Sequence, residues 1–277
     1  VYGGEKIRTA LILEWPATMN APTAAPLCDF APLDAAAPAR CFVLVPCAGA
    51  GSRAGTAQPK QYQAVAGQPM VMHTLAALAA VRRVSGGLVV LSPGDDFDWP
   101  QGDAWPARFE RVPCGGSTRA QSVFNGLKAL QTRGVRPMDW VLVHDAARCL
   151  ITPALVDSLI DACLPDTCGG LLALPLPDTL KSESGRRVQA TVPREDKWLA
   201  QTPQMFRLGQ LHAALAARAG SGFEGVTDEA SAMEMAGHRP LLVAGSAHNF
   251  KVTYPQDFAL AQAVLAMRVL NKEKDTP

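Results

Sequence analysis

Cys41-Phe-Val-Leu-Val45 runs directly into Pro46-Cys-Ala-Gly-Ala-Gly-Ser-Arg-Ala-Gly55 and then Gln58-Pro-Lys-Gln61. A short, unbroken apolar run of this kind is what a strand buried on both faces requires. The glycines behind it let backbone N–H groups approach a ligand closely and converge on it, which makes an anion cradle. Arg53 and Lys60 add full positive charge to the same loop. Gly49, Gly51 and Gly55 give G-x-G-x-x-x-G, one residue longer than the dinucleotide fingerprint, and no Gly-Lys-Ser/Thr follows as in a Walker A loop. An ordinary glycine-rich turn accounts for the glycines alone; two cations beside them point to a polyphosphate.

Downstream, apolar runs and amphipathic segments alternate. Val71, Leu75 and Leu78 fall at i, i+4 and i+7 and predict a helix from Pro69 to Arg82, and Gly87-Leu-Val-Val-Leu91 predicts the next strand. A helix starting near Thr118 carries Val123, Leu127 and Leu130 on one face, and Trp140-Val-Leu-Val143 is again strand. Thr152-Pro153 reads as an N-cap and first-turn proline heading a helix with Leu155, Val156, Leu159, Ile160 and Cys163 that stops at Pro165. Gly170-Leu-Leu-Ala-Leu174 is a further strand. The alternation implies an α/β fold with a single Rossmann-like, mostly parallel sheet flanked by helices.

That rhythm breaks between Leu176 and Asp196, where Ser182-Glu-Ser-Gly185 reads as a hairpin tip between two polar strands. An isolated hairpin is marginal in water, so this protruding β-arm, about residues 176–199, is expected to pack on another subunit of a homodimer rather than to hang as a surface loop.

Bulk composition excludes several classes. The chain has 277 residues, 48% hydrophobic and 18% charged, enough for a substantial core. A formal net charge of +1 supplies no global field toward nucleic acid or an anionic membrane, so phosphate binding must come from a local cluster. No run of about 18 uninterrupted apolar residues offers a membrane span. Cys28, Cys41, Cys47, Cys114, Cys149, Cys163 and Cys168 are scattered without a C-x-x-C pair, which suits free thiols in a reducing cytoplasm better than zinc or disulfides. Pro16, Pro22, Pro26, Pro32 and Pro38 interrupt an alanine-rich tract, so residues 1–40 are expected to be a disordered tail and residues 41–277 one domain. The apolar run Ala10–Leu13 ends at Glu14, too short for a secretory signal, and Met19 offers a natural start.

Ligands of such sheets bind beyond the carboxyl ends of the strands, which directs attention to His144-Asp-Ala-Ala-Arg148. Asp145, at a strand end and across from the phosphate cradle, is where a hard cation bridging phosphates would be held. Capping the next helix is the alternative use, but Thr152 already serves there. His144 is read as a packed residue without chemistry.

Taken together, Pro46-Cys-Ala-Gly-Ala-Gly-Ser-Arg53, Pro59-Lys-Gln-Tyr62, Val143-His-Asp-Ala-Ala-Arg148, Thr227-Asp-Glu-Ala-Ser231 and Asn249-Phe-Lys-Val-Thr253 resemble the 2-C-methyl-D-erythritol 4-phosphate cytidylyltransferases of the bacterial isoprenoid pathway. The resemblance runs from about Cys41 to the C-terminal helix. It implies a nucleotidyltransferase-type fold and transfer of CMP from CTP to 2-C-methyl-D-erythritol 4-phosphate, releasing pyrophosphate. It implies that the backbone of Cys47, Ala48, Gly49, Ala50 and Gly51 cradles CTP while Arg53 and Lys60 stabilise charge on its phosphates. Gly116, Arg119 and Ser122 would contact the nucleotide, and Asp145 would hold Mg2+ or another divalent cation. Arg148 would lie at the substrate end, Thr227 and Lys251 would bind the methylerythritol phosphate, and Thr179 and Arg194 would reach it from a neighbouring subunit. Three residues depart from the family pattern: Ser117 stands where an acidic residue is frequent, Cys149 replaces a proline, and Cys47 replaces an alanine at a position expected to act through its backbone.

The implied reaction is an in-line attack of a phosphate oxygen on the α-phosphorus of CTP. The nucleophile is already anionic near neutral pH, so no general base is needed, and the protein's task is positioning and positive charge from Arg53, Lys60, Arg194 and Lys251. The nearest rival is a cytidylyltransferase for another polyol phosphate such as ribitol 5-phosphate. A rival of another class is a nucleotide-sugar glycosyltransferase, for which Asp96-Phe-Asp98 spells the usual metal motif but lies in a loop that no apolar run leads into. A catalytically dead nucleotide binder is opposed by the intact Arg53, Lys60, Asp145 and Lys251.

Overall fold

The computed structural model describes residues 38–49 and 58–274; the expectations placed on residues 1–37 and on Ala50, Gly51 and Arg53 lie outside the described residues. In chain order the strands are β1 (Cys41–Pro46), β2 (Ala64–Val65), β3 (Gln68–Pro69), β4 (Val84–Val90), β5 (Phe109–Val112), β6 (Trp140–Val143), β7 (Gly169–Pro175), β8 (Leu180–Ser184), β9 (Arg187–Val192), β10 (Trp198–Arg207) and β11 (Leu241–Ala244). The α-helices are α1 (Met70–Ala79), α2 (Arg119–Thr132), α3 (Pro153–Cys163), α4 (Leu208–Ala219), α5 (Glu229–Met235) and α6 (Pro255–Lys274).

Seven strands form one sheet in the order β11-β7-β10-β6-β1-β4-β5. Pairings β1–β4, β1–β6, β4–β5 and β7–β11 are parallel; only β10 runs antiparallel, wedged between β6 and β7. The mixed, mostly parallel sheet meets the sequence expectation. β1 is interior, and its alternating side chains divide between two cores. Val43 and Val45 pack with Leu75, Leu78, Leu159 and Ile160 of α1 and α3, while Phe42 and Leu44 pack with Val123 and Leu127 of α2 and Leu211 of α4. That two-sided burial is why the run reads as uniformly apolar. α2 comes close because Gly126 carries no side chain: a Cβ there would lie 2.6 Å from Leu44 Cδ1 and 2.8 Å from Val90 Cγ2.

The Thr152 side chain accepts a hydrogen bond from Leu155 N, with Pro153 in the first turn, as its sequence announces. α1 is shorter than expected, and β4 begins at Val84, ahead of the expected Gly87. Three strands of the seven-stranded sheet escaped the sequence reading, as did the short β2 and β3. β5 and β11 are edge strands of only four residues, β5 of mixed polarity and β11 apolar but with no residue fully buried. β10 contains Pro203, which ordinarily argues against an interior strand. Here the register of β10 on β7 shifts between Ala200 and Gln204, so Pro203 lies in the irregularity and no ladder bond is demanded of it.

A third apolar cluster joins Val65, Met70, Cys149, Leu150, Val252, Ala261 and Val264, fastening α6 over the segment that follows β6. The Cys149 thiol is therefore core, and burial pushes it up to about 11. β8 and β9 form a separate two-stranded sheet within the arm expected at about residues 176–199, with Gly185 in the turn between them. No helix among the described residues is long and apolar enough to cross a membrane.

Candidate active site

A cavity of about 610 Å³ opens beyond the carboxyl ends of β1 and β6. Cys47, Ala48 and Gly49 line one wall, Gly116 to Arg119 and Ser122 another, Asp145 to Ala147 the floor, and Lys60 and Lys251 complete it. Nine residues singled out from the sequence thus meet here: Cys47, Ala48, Gly49, Lys60, Gly116, Arg119, Ser122, Asp145 and Lys251.

The described start of the phosphate loop is held from behind. Gln61 Nε2 donates to the carbonyls of Cys47 and Gly49, both at 2.9 Å, and Ser92 Oγ donates to the Ala48 carbonyl at 2.8 Å. The Cys47 N–H is spent on the Val90 carbonyl at 2.8 Å. Backbone donors for a ligand must therefore come from Ala48 onward, a narrower cradle than the one expected from Cys47. The opposite wall is tied in the same way: Gly116 N donates to Ser122 Oγ at 3.0 Å, and Ser122 Oγ to the Thr118 carbonyl at 2.9 Å. Thr118 caps α2, accepting from Gln121 N, so the N-terminal end of that helix faces the cavity and favours an anion.

Four charges alternate from the cavity into the protein behind it. Lys251 Nζ lies 2.7 Å from Asp145 Oδ2, and Arg119 Nε lies 2.8 Å from Asp145 Oδ1. Arg119 Nη1 and Nη2 then reach Glu229 Oε1 and Oε2 at 2.7 and 3.0 Å. Burial alone would raise the Asp145 carboxyl, but Arg119 and Lys251 hold it well below the usual carboxylate range. Burial pushes Glu229 upward against the pull of Arg119. Asp145 N donates to Thr202 Oγ1 at 3.0 Å, which fixes the carboxylate's stem. His144 is fully buried beside it, with Nδ1 3.1 Å from Thr202 Oγ1 and Nε2 3.2 Å from the Arg148 carbonyl. Burial lowers His144 to about 4, which leaves it neutral near pH 7.

Among the described residues no group of three His, Cys, Asp or Glu is placed to hold a metal. Asp145 is the one carboxylate lining the cavity there. A single ionised carboxylate suits a Mg2+ ion whose other ligands are phosphates and water, and each of its oxygens has a second lone pair to share.

Among the described residues, the remaining expected ones do not line this cavity. Arg148 donates from Nη1 to the Asn249 carbonyl at 2.8 Å and from Nη2 to the Ala200 carbonyl at 3.1 Å, so its fork braces the backbone that carries Lys251. Thr227 is exposed, its N–H donating to Ser231 Oγ at 3.0 Å ahead of α5. Thr179 and Arg194 are exposed on the arm, where Arg194 Nη1 donates to the Pro177 carbonyl. Asp96 and Asp98 are exposed and stand apart from the cavity, against the glycosyltransferase reading. Sequence reasoning missed Gln61, Thr202 and Glu229. Gln61 and Glu229 lie inside quoted motifs, but their roles depend on partners brought together only by the fold.

The sequence profile of 2-C-methyl-D-erythritol 4-phosphate cytidylyltransferase (IspD) matches residues 41–267. A bifunctional enzyme IspD/IspF of Albidiferax ferrireducens is 64% identical over 229 residues, 83% of this chain; the chain spans about half of that relative, 54% of its length. The 2-C-methyl-D-erythritol 4-phosphate cytidylyltransferase of Ralstonia nicotianae is 53% identical over 236 residues, covering 82% of this chain and 92% of the relative. Among solved structures, a 4-diphosphocytidyl-2C-methyl-D-erythritol synthase superposes with a TM-score of 0.71 at 37% identity, covering 83% of this chain and all of that one. The Thermus thermophilus cytidylyltransferase gives a TM-score of 0.67 at 35% identity, covering 81% of this chain and 98% of that one. With Ala48, Gly49, Lys60, Asp145 and Lys251 gathered on one cavity, the chain belongs to the 2-C-methyl-D-erythritol 4-phosphate cytidylyltransferase family.

Proposed function

We propose that this cavity transfers CMP from CTP to 2-C-methyl-D-erythritol 4-phosphate, giving 4-diphosphocytidyl-2-C-methyl-D-erythritol and pyrophosphate. The observation that carries the reading is the convergence of Lys60 and Lys251 on one cavity with the N-terminal end of α2. A phosphate oxygen of the acceptor attacks the α-phosphorus in line. The new O–P bond forms as the bond to the β-phosphate breaks, and its electron pair leaves with pyrophosphate. The nucleophile arrives deprotonated, so neutral, buried His144 has no proton to take.

Lys60, with Arg53 of the same loop, meets the triphosphate, and Lys251 meets the phosphate of the acceptor. These fixed charges offset the repulsion between two polyanions and stabilise charge on the leaving group. Ala48 to Gly51, Gly116, Arg119 and Ser122 hold the nucleotide. Asp145 would hold Mg2+ or a similar divalent cation, which would supply further neutralisation of the triphosphate. Thr227 and, from a partner in a homodimer, Thr179 and Arg194 complete the acceptor end, while Arg148 braces the backbone that carries Lys251. The reaction belongs to isoprenoid precursor synthesis in the cytoplasm.

Pyrophosphate release is measured with CTP plus methylerythritol phosphate, ribitol 5-phosphate or no acceptor. Release with the first alone, at a rate far above the other two, is expected. Equal release with ribitol 5-phosphate overturns the acceptor assignment, and release without acceptor overturns the transfer.

A further inference from the structure

Arg119 has five N–H donors in a rigid fork, and their distribution is uneven. Both terminal nitrogens go to Glu229, at 2.7 and 3.0 Å, and only Nε faces Asp145, at 2.8 Å. Glu229 does not line the cavity, and its side chain is only 2% exposed. It is the first residue of α5, and Asp228 closes a capping box with Ser231 just before it. Gln204 anchors the same turn from β10, donating to Asp228 Oδ2 and accepting from Ala230 N, both at 2.8 Å. A buried carboxylate on so firmly tied a turn is a fixed point, 110 residues away in sequence from the guanidinium it grips.

A guanidinium beside a lone carboxylate favours the bidentate arrangement, with two parallel bonds to its two oxygens. If Arg119 adopted it on Asp145, a terminal nitrogen would crowd Oδ2 and bring a second positive charge onto the oxygen on which Lys251 now rests at 2.7 Å. Glu229 occupies the fork and leaves Asp145 a single bond from Nε. We infer that Glu229 is a positioning residue: by claiming both terminal nitrogens of Arg119, it keeps one oxygen of Asp145 for Lys251 and so sets that ammonium group in the cavity. The inference deepens the proposed reaction and rests on that reading for its kinetic consequence; the placement of Lys251 is checked without it.

Glu229→Gln keeps the shape but offers an N–H₂ where Arg119 also donates, so one terminal nitrogen is released toward Asp145. Glu229→Asp keeps the charge and withdraws it by one methylene, and it serves where the Gln variant does not fold. Competitive acetylation of the full-length variants by acetic anhydride, read by mass spectrometry against exposed Lys128, reports the hold on Lys251 whether or not the enzyme turns over. Labelling of Lys251 is expected to rise several-fold in either variant, and unchanged labelling overturns the proposal.

In the kinetic arm, kcat is expected to fall roughly 10-fold or more, with KM for CTP changed far less, the pattern of an interaction realised in the transition state. Glu229→Gln placed on Arg119→Ala should cost nothing further, because the link is already cut. Full multiplicative losses would mean that Glu229 acts independently of Arg119. A lower melting temperature with wild-type kcat and wild-type labelling would reduce it to a purely structural residue. Absence of turnover in the unsubstituted protein counts against the proposed reaction and leaves the labelling result to decide this one.

Discussion

Lys60 Nζ donates to the carbonyl of Val252 at 2.7 Å, across 192 residues of chain. Val252 N in turn donates to the Ala147 carbonyl at 2.9 Å, so Lys60, the segment after β6 and the backbone next to Lys251 share one anchor. Lys60 therefore fixes the backbone next to Lys251 as well as bringing its own charge. Lys60→Ala is expected to lower kcat by about 10² or more, the usual result of removing a preorganised charged donor. Lys60→Arg should restore part of that. Steady-state pyrophosphate release decides it; turnover near wild type in Lys60→Ala would remove the lysine from the chemistry. The same loss is expected for Arg53→Ala on the charge argument from sequence.

Asp145 balances two cations, so neutralising it has two readable effects. In Asp145→Asn, Lys251 and Arg119 both lose their shared anion, but Arg119 keeps Glu229 and Lys251 is partly solvated, so the cost is about 1–3 kcal/mol, that of losing hydrogen bonds to a charged group. Urea titration should show that loss with the m-value unchanged. Activity of the folded enzyme should then require a markedly higher magnesium concentration. A magnesium titration that superposes on wild type would take Asp145 out of metal binding while leaving its ion-pair role intact.

Gly115 is the point where the two walls of the cavity touch. A Cβ there would lie 2.3 Å from Ala48 Cβ and 2.7 Å from the Leu91 carbonyl, to which Gly115 N already donates at 2.8 Å. Neither neighbour is a flexible side-chain end, so Gly115→Ala must displace backbone. The expected cost is about 1–3 kcal/mol of stability, as for overpacking elsewhere. The displaced atom belongs to the phosphate loop, so KM for CTP should rise as well. A variant with wild-type Tm and wild-type KM would show that the walls yield more easily than their geometry implies.

What was legible in the sequence was legible because it is local. β1 announces itself through five apolar residues in a row, since both of its faces are covered, and Thr152-Pro153 announces α3 through its own cap. Asp145 was found from its place at the end of an apolar strand, and Lys251 through a quoted motif. Glu229 was quoted within Thr227-Asp-Glu-Ala-Ser231 yet given no role, because its meaning lies in Arg119 on another helix. Arg148 shows the converse: motif matching put it at the substrate, while its guanidinium is bonded to the Asn249 and Ala200 carbonyls. β10 was hidden by Pro203, whose misfit is absorbed by a register shift that no periodicity reveals.

The arm supplies the most demanding test. β8 and β9 pair only with each other among the described strands, and Val188, Trp198 and Leu199 are 67%, 41% and 48% exposed. A two-stranded ribbon with apolar side chains in water is marginal alone, and a second copy of the chain would cover them. Arg194 stands on this arm, away from the cavity of its own chain, so its expected action is on a partner's cavity. Lys60→Ala and Arg194→Ala proteins are each expected to be nearly inactive when pure. Mixed and allowed to exchange subunits, they give a dimer in which the cavity with intact Lys60 receives intact Arg194. Random exchange makes half the dimers mixed, with one of two sites rebuilt, so about a quarter of wild-type activity should return. If Arg194 acts within its own chain, no pairing assembles a complete site. Exchange proven by mass spectrometry of the mixed species, with activity still absent, would rule out action in trans.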